Sequence, residues 1–314
     1  MAIETRTGFI RPIVLAVALT LSACAGQAPQ RGTGTSAPTR TLSGNADELA
    51  GDALQELSES DAQTALAAIA RANLLAQNRP DLAWLHVRIC ALTPGCEPEP
   101  IETRFRKLAP DNGVVWLGPL ARAQARRDNQ AEAQILEAMS RAQRFDVYWT
   151  GLVWRLSAAR NAKAPAAGTP GASPTPLTAA LDRTTEALSA AVVPAFKPLS
   201  AACEVARTQE PVARARCDRI ARAMQGSDTT LVEGLGLAMA QHLATPASPE
   251  AVVLDERIAT LSYRSQAAGA VVRSQVERDK FSAQMIELMK KLPREQDVSV
   301  AILRWAGEPL LPAK

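Results

Sequence analysis

The chain has 314 residues, and its 35 basic and 32 acidic residues give a formal net charge of only +3, which carries no electrostatic signature of a nucleic acid or other polyanion partner. Hydrophobic residues make up 47% of the chain, enough for a real core, whereas aromatic residues make up only 4%. Alanine and leucine dominate the apolar set, which favours closely packed helices over sheets, because sheets prefer β-branched and aromatic side chains.

The first 23 residues contain the parts of a secretory signal. Arg6 and Arg11 make a basic lead, and an apolar run follows over residues 12–21. This run is too short for a permanent membrane-spanning helix, which needs about 20 apolar residues. We therefore predict a cleavable signal peptide over residues 1–23.

The signal ends on Leu21, Ser22, Ala23 and Cys24. This order resembles the lipobox of bacterial lipoproteins, which implies that Cys24 becomes the first mature residue and carries a diacylglycerol. Several acyl chains would anchor the protein to a membrane. Ala25 stands where an aspartate favours inner-membrane retention in enteric-type lipoproteins, so the resemblance points to the outer membrane facing the periplasm. The alternatives are an ordinary secretory signal with a chance cysteine and an uncleaved anchor.

A tether follows the cysteine. The stretch from Gly26 to Gly44 is rich in glycine, proline, serine and threonine, and it has no large apolar residue before Leu42. Such a stretch cannot bury enough apolar surface to fold. We predict a flexible, lipidated tether over residues 24–44 that holds the folded body clear of the lipid headgroups.

Nearly every segment after residue 45 has the apolar spacing, caps and prolines of amphipathic helices. Asp61 is predicted to cap the first of the helices that we delimit, and Pro80 to start the next. The further predicted helices cover residues 101–108, 114–127, 131–142, 146–160, 177–192, 195–208, 212–224, 229–243, 249–268, 271–291 and 296–305. No alternating strand of useful length interrupts them, so we expect an all-α fold.

These helices come in pairs with short turns, as in stacked helical hairpins. Two triplets have a small–large–small spacing: Ala65, Ile69, Ala72 and Ala131, Ile135, Ala138. The spacing is similar to that of the second helix of a tetratricopeptide repeat, and Trp84 and Trp116 lie where the next first helix often has an aromatic residue. The glycine and tyrosine usual in that first helix are not in register, and the period is irregular. The resemblance implies an irregular tetratricopeptide-repeat-like α-solenoid over residues 45–160.

A second low-complexity stretch covers residues 161–176 and is rich in alanine, proline and glycine. It is either a linker between domains or a long exposed loop inside one solenoid. Residues 177–314 form a C-terminal helical region without a clear repeat.

Four cysteines remain besides Cys24: Cys90, Cys96, Cys203 and Cys217. An even set in an exported chain favours two disulfides. Three connectivities are possible, and local pairing of Cys90 with Cys96 and of Cys203 with Cys217 is the most natural. A thiol metal site is the alternative, but neither pair has the two-residue ligand spacing.

No nucleophile-elbow serine, phosphate-cradling glycine loop or paired metal motif is present in the sequence. His86 lies four residues before Cys90, so the two could share one helix face as metal ligands, although an ordinary structural histidine is the simpler interpretation. Gly234 and Gly236 lie in an apolar helical run and indicate close helix packing. We therefore predict no enzyme activity, no cofactor and no metal.

Two clusters could mark a binding surface. The first is unusually rich in aromatic residues for this chain: Phe145, Tyr148, Trp149 and Trp154. The second is cationic: Arg207, Arg214, Arg216, Arg219 and Arg222. Core packing and a solvated face are the respective alternatives, while the cationic cluster could also contact an anionic lipopolysaccharide or peptidoglycan.

Together these features predict a lipoprotein anchored at a periplasmic membrane face and acting as a helical scaffold for protein–protein interaction, because solenoids expose extended concave surfaces. The expected partner is a protein of the cell envelope. The second hypothesis is an envelope or cell-wall assembly factor that contacts peptidoglycan, and the third is an enzyme of unknown type.

Overall fold

The structure is a computed structural model and describes residues 43–162, 177–275 and 278–312. Within these ranges the chain forms fourteen α-helices, three short 3-10 helices and no β-strand, so the prediction of an all-α fold is confirmed. The predicted signal peptide, Cys24 and the tether as far as residue 42 lie outside the described residues. No described helix is long and apolar enough to cross a membrane.

The first seven helices precede the low-complexity stretch: α1 Ala46–Ser58, α2 Ala62–Leu75, α3 Pro80–Leu92, α4 Glu99–Leu108, α5 Leu117–Ala125, α6 Asn129–Met139 and α7 Trp149–Ala162. The other seven follow it: α8 Leu177–Val192, α9 Lys197–Ala202, α10 Pro211–Met224, α11 Thr230–Leu243, α12 Pro249–Ser274, α13 Arg278–Lys291 and α14 Glu295–Ala306. Successive helices pack against each other along much of the chain.

Helix starts follow the local capping signals in the sequence. The Asp61 carboxylate accepts the backbone N–H of Thr64 at 3.0 Å, and the Thr229 hydroxyl accepts that of Val232 at 3.1 Å. Such caps satisfy backbone donors that the first turn of a helix leaves without a partner. They explain why α2 and α11 begin where the sequence predicts.

Several predicted boundaries are wrong, among them the start of α7, the end of α12 and the extent of α9. The helix expected from residue 146 starts at Trp149. Residues 145–148 are not helical, Tyr148 has a φ of 60°, and the backbone N–H of Trp149 is held by a distant carboxylate described below. The break between the helices expected over 249–268 and 271–291 falls after Ser274, since α12 continues through Gly269 to that residue. The helix expected over 195–208 is shorter: α9 ends at Ala202, and a 3-10 turn follows at Val205–Arg207.

The helices on the two sides of residues 163–176 pack together. α8 contacts α1, α3 and α7, and the residues from Leu42 onward form one compact unit. The buried guanidinium of Arg88 in α3 donates through Nε to the carbonyl of Ala191 in α8 at 2.8 Å. The low-complexity stretch therefore joins two parts of a shared core.

The two tetratricopeptide-like triplets differ in burial. Ala65, Ile69 and Ala72 of α2 are completely buried. Ala131, Ile135 and Ala138 of α6 are only half-buried, and the buried face of α6 instead carries three other residues: Glu132, Leu136 and Met139. Glu132 on this face pairs with Arg207 of the 3-10 turn that precedes α10, at 2.8 Å. The small–large–small spacing therefore places its residues in the core in α2 alone.

Both predicted cysteine pairs are present. Cys90 is bonded to Cys96, with 5.4 Å between the Cα atoms, and Cys203 is bonded to Cys217, with 5.7 Å between the Cα atoms. The first bond joins the end of α3 to the turn after it, and the second joins the end of α9 to α10. Both bonds are local in sequence, as in the pairing that the sequence favoured among the three possible connectivities.

Candidate functional site

The prediction that Phe145 belongs to a binding surface is wrong. This side chain is completely buried, and its ring fills the space in which Gly113 has no Cβ. A Cβ at Gly113 would overlap the ring, so the glycine allows this close approach. Phe145 therefore belongs to the core and cannot contact a partner in this fold.

The other three aromatic residues of that cluster are half-buried. The Tyr148 hydroxyl accepts a hydrogen bond from the Asn112 side chain at 3.2 Å, and burial raises the pKa of this phenol. Trp149 packs against the core. Trp154 lies under two cations, with the Arg155 guanidinium 4.5 Å and the Lys290 ammonium 5.6 Å from its ring centroid. These contacts give each ring an intramolecular packing role.

The cationic cluster is paired within the protein. Its five arginines bond to carboxylates, a hydroxyl or a main-chain carbonyl of the chain itself: Arg207 to Glu132, Arg214 to the carbonyl of Leu243, Arg216 to Glu137, Arg219 to Ser140 and Glu137, and Arg222 to Asp218 and Glu250. Several of these bonds join α10 to α6. They stabilise the helix packing and leave little open positive charge for a polyanion.

The His86–Cys90 pair does not hold a metal in this arrangement, since the Cys90 sulfur is in a disulfide. His86 is half-buried, and burial, followed by the nearby charge of Arg104, lowers its pKa to about 4. No group of three or more histidine, cysteine or acidic side chains that could hold a metal ion is found in the part of the chain that the structure describes.

An apolar groove of about 480 Å³ lies between α13 and α14. Its apolar wall carries side chains from both helices: Phe281, Met285 and Leu288 from α13, and Ala301, Ile302 and Trp305 from α14. The Trp305 side chain is 58% exposed, and its ring centroid lies 5.5 Å from that of Phe281. A large aromatic residue on an apolar surface loses favourable burial unless a partner covers it.

Helical spacing accounts for this wall. Phe281, Met285 and Leu288 recur at intervals of four and three residues, so they share one face of α13. α13 also packs against α7 and α8, while α14 packs against α12, and these contacts cover the other sides of the two helices. The groove is the part of their shared apolar surface that the described helices leave open.

Two lysines mark the rim of the groove. Lys280 and Lys291 both line it and lie eleven residues apart on α13, about 16 Å along a helix. Glu287 lies between them and is bonded to Lys290 at 2.6 Å, so its charge is offset. An apolar wall with cationic ends is suited to an amphipathic segment that carries acidic residues.

Sequence reasoning missed this groove, because its signal in the sequence is ambiguous. The apolar positions of 281–288 and 302–305 have the pattern of an ordinary core-facing stripe, which any amphipathic helix of a globular protein shows. Only the packing of the neighbouring helices shows that part of the stripe is uncovered. Trp305 was the one signal available, since it is one of only five tryptophans in a chain poor in aromatic residues.

Comparison of the chain with protein-family models, with curated proteins and with solved structures finds no match.

Proposed function

We propose that this protein is a non-catalytic interaction scaffold, held at a periplasmic membrane face by lipid on Cys24, that docks an acidic amphipathic segment of an envelope protein. The observation that carries the proposal is the open apolar groove between α13 and α14, with the exposed ring of Trp305 on its wall. The tetratricopeptide-like organisation of residues 45–160 is part of the same proposal. It is supported by the stacking of α1, α2 and α3 and by the buried triplet of α2.

The chemistry of the groove favours a helical segment as the partner. A helix docked in such a groove presents apolar side chains at intervals of three and four residues. Covering a tryptophan at the centre of an interface typically stabilises the complex by roughly 2 kcal/mol or more. An acidic residue on the partner would lie near Lys291 and help to fix its register.

Substitution of Cys24 by serine tests the anchor. The Cys24→Ser protein has no thiol to carry the lipid, so we expect it to leave the membrane fraction and to appear in the soluble envelope extract or to accumulate with its signal uncut. Cell fractionation followed by mass determination of the N-terminal peptide measures this. A Cys24→Ser protein whose signal has been cleaved and that still stays in the membrane fraction would contradict the lipid anchor.

Photocrosslinking in the native cell tests the groove. A photoreactive amino acid at Gln284, which lines the groove, should give a discrete adduct with one envelope protein. Trp305→Ser should reduce that adduct at least about tenfold, since the loss of a central aromatic residue costs about 2 kcal/mol. Val212→Ser is the matched control, because Val212 is an exposed apolar side chain on α10, outside the groove.

An adduct that persists in the Trp305→Ser protein would count against docking in the groove. An adduct that contains glycan and no protein would favour instead the cell-wall hypothesis, in which the protein contacts peptidoglycan. The two readouts are separated by mass spectrometry of the adduct.

A further inference from the structure

A second concave site lies elsewhere in the C-terminal region. It is a cleft of about 360 Å³ between α11, α12 and α14. Its volume is near the lower end of the range for small-molecule sites in proteins, which is about 300–1,000 Å³. The residues that line it are mostly polar, and its apolar contribution comes from Val253, Leu261 and Val300.

Charges of both signs line this cleft. Three are guanidinium groups and three are carboxylates: Arg257, Arg264 and Arg294, and Glu233, Glu256 and Asp297. A purely anionic ligand would approach three carboxylates, and a purely cationic ligand would approach three guanidinium groups. Like-charge contacts of this kind disfavour both classes of ligand. The charge pattern therefore favours a ligand that carries both signs.

Part of this charge is used inside the protein. The Glu233 side chain is only 14% exposed, and its carboxylate accepts a hydrogen bond from the Gln296 amide at 2.8 Å. Arg294 and Arg257 reach the same carboxylate at 3.4 and 3.8 Å. This set of contacts joins α11, α12 and the start of α14 and fixes one wall of the cleft.

The Arg264 guanidinium, on another part of the wall, is only partly hydrogen-bonded within the described residues. The Arg264 guanidinium is held through its Nε, which donates to the carbonyl of Leu310 at 2.9 Å. Its two terminal nitrogens have no acceptor among the described residues. A guanidinium fixed at Nε, with its terminal N–H groups available, is a suitable donor for a carboxylate.

The open carboxylates complete the site. Glu256 and Asp297 line the same cleft, and neither side chain has an ion pair or a hydrogen bond within residues 43–162, 177–275 and 278–312. Carboxylates of this kind are acceptors for an ammonium group. The cleft thus combines an oriented cation with two acids that no described residue neutralises.

We propose that this cleft binds a small zwitterion of the amino-acid or short-peptide class, with the ligand carboxylate on Arg264 and the ligand ammonium on Glu256 and Asp297. Val253, Leu261 and Val300 supply an apolar surface for a small side chain. This site uses a different surface from the groove that carries the proposed function, so neither proposal depends on the other.

Calorimetric titration of the full chain in detergent micelles with unblocked dialanine tests the proposal. Three probes are compared at equal concentrations: dialanine, its N-acetyl derivative and its C-terminal amide. We expect saturable binding of dialanine and binding at least about tenfold weaker for each blocked form, since each has lost one charge. Alanine and trialanine tested in parallel distinguish a site for the free amino acid from a site for a peptide end.

Substitutions in the cleft test whether dialanine binds there. Arg264→Gln and Asp297→Asn should each weaken dialanine binding at least about tenfold. Arg304→Gln is the matched control, because Arg304 is an exposed arginine of α14 outside the cleft, and it should leave binding unchanged. Equal binding of blocked and unblocked peptides, no saturable binding at millimolar concentrations, or unchanged binding in Arg264→Gln would each overturn the proposal. The blocked-peptide comparison uses the unmodified protein, so it decides the matter even if a variant fails to fold.

Discussion

Replacing Asp228 with asparagine is expected to lower the free energy of unfolding by about 2 kcal/mol near pH 5 and by less near pH 8. The Asp228 carboxyl group is buried in the turn before α11 and accepts the backbone N–H groups of Val147 and Trp149, both at 2.9 Å. These donors lie at and just before the start of α7, some eighty residues away. Both oxygens of a carboxyl group have lone pairs that accept, even when one oxygen carries a proton, whereas the NH2 group of asparagine has none and would leave one donor without an acceptor.

The dependence on pH follows from the environment of the carboxyl group. Burial, and then the nearby charge of Asp146, raise the pKa of Asp228 from 3.8 to about 7. Between these values the folded protein keeps a proton that the unfolded chain releases. The contribution of Asp228 to stability is therefore complete below pH 4 and is lost as the pH rises through 7. Asparagine does not titrate, so the difference between the two proteins shrinks over that window.

Urea unfolding at several pH values from about 5 to 8 measures this difference. The comparison with the parent protein is needed because two other groups titrate in overlapping windows: burial raises the pKa of Glu295 and lowers that of His86. Asp218→Asn is the matched control, since Asp218 forms only a surface pair with Arg222, and it should change stability by under about 1 kcal/mol. A cost of Asp228→Asn that is the same at every pH would contradict the raised pKa.

Replacing Gly236 with alanine is expected to destabilise the protein by about 2 kcal/mol, through overpacking. Gly236 is buried in α11, where α10 crosses it. A Cβ at this position would lie 2.7 Å from the Cβ of Met224 and 2.8 Å from the carbonyl oxygen of Ala221. Both neighbours are fixed by the α10 backbone, so the two helices would have to separate.

Gly234 provides the control on the same helix. A Cβ there would meet only the Leu261 side chain at 3.8 Å, which is an ordinary contact. Since alanine is a better helix former than glycine, Gly234→Ala should be neutral or stabilising by roughly 0.5–1 kcal/mol. Thermal and urea unfolding of both variants compare them directly. If the two substitutions had equal effects, the close approach of α10 and α11 at Gly236 would not be a packing constraint.

The proposed scaffold and the proposed zwitterion cleft share α14. Ala301, Ile302 and Trp305 of this helix line the groove, whereas Gln296, Asp297, Ser299 and Val300 line the cleft. A ligand in the cleft would contact the helix that carries Trp305. Crosslinking at Gln284 tests the groove, and titration with dialanine tests the cleft, so the two sites are tested separately.

Much of the fold could be predicted from the sequence, because its signals are local. Asp61 caps α2 from one residue before it, and Pro80 starts α3 from within its first turn. The disulfide partners are six and fourteen residues apart, so a turn and a helical hairpin bring them together. The interpretation of Gly234 and Gly236 as close-packing residues is correct for Gly236 and wrong for Gly234, where a Cβ would meet only an ordinary contact at 3.8 Å.

The functional surfaces were not predictable in the same way. The aromatic cluster of Phe145 looked like a surface because aromatic residues are scarce in this chain, yet Phe145 is completely buried. The five arginines of the cationic cluster looked like a patch because their acceptors, such as Glu132 and Glu137, are more than seventy residues away in the sequence. Burial and charge pairing depend on neighbours in space, which local patterns do not identify.

The sequence by itself determined the helical class and most helix limits and favoured the local cysteine pairing, since each depends on residues within about four turns of one another. The tertiary structure alone decided where α7 begins, because its first turn is held by Asp228 from the other half of the chain. It also decided that the apolar stripe between α13 and α14 is left uncovered, and that the charged groups of Arg264, Glu256 and Asp297 line a cleft. Those features arise only when helices distant in sequence pack, since packing fixes what each side chain has beside it.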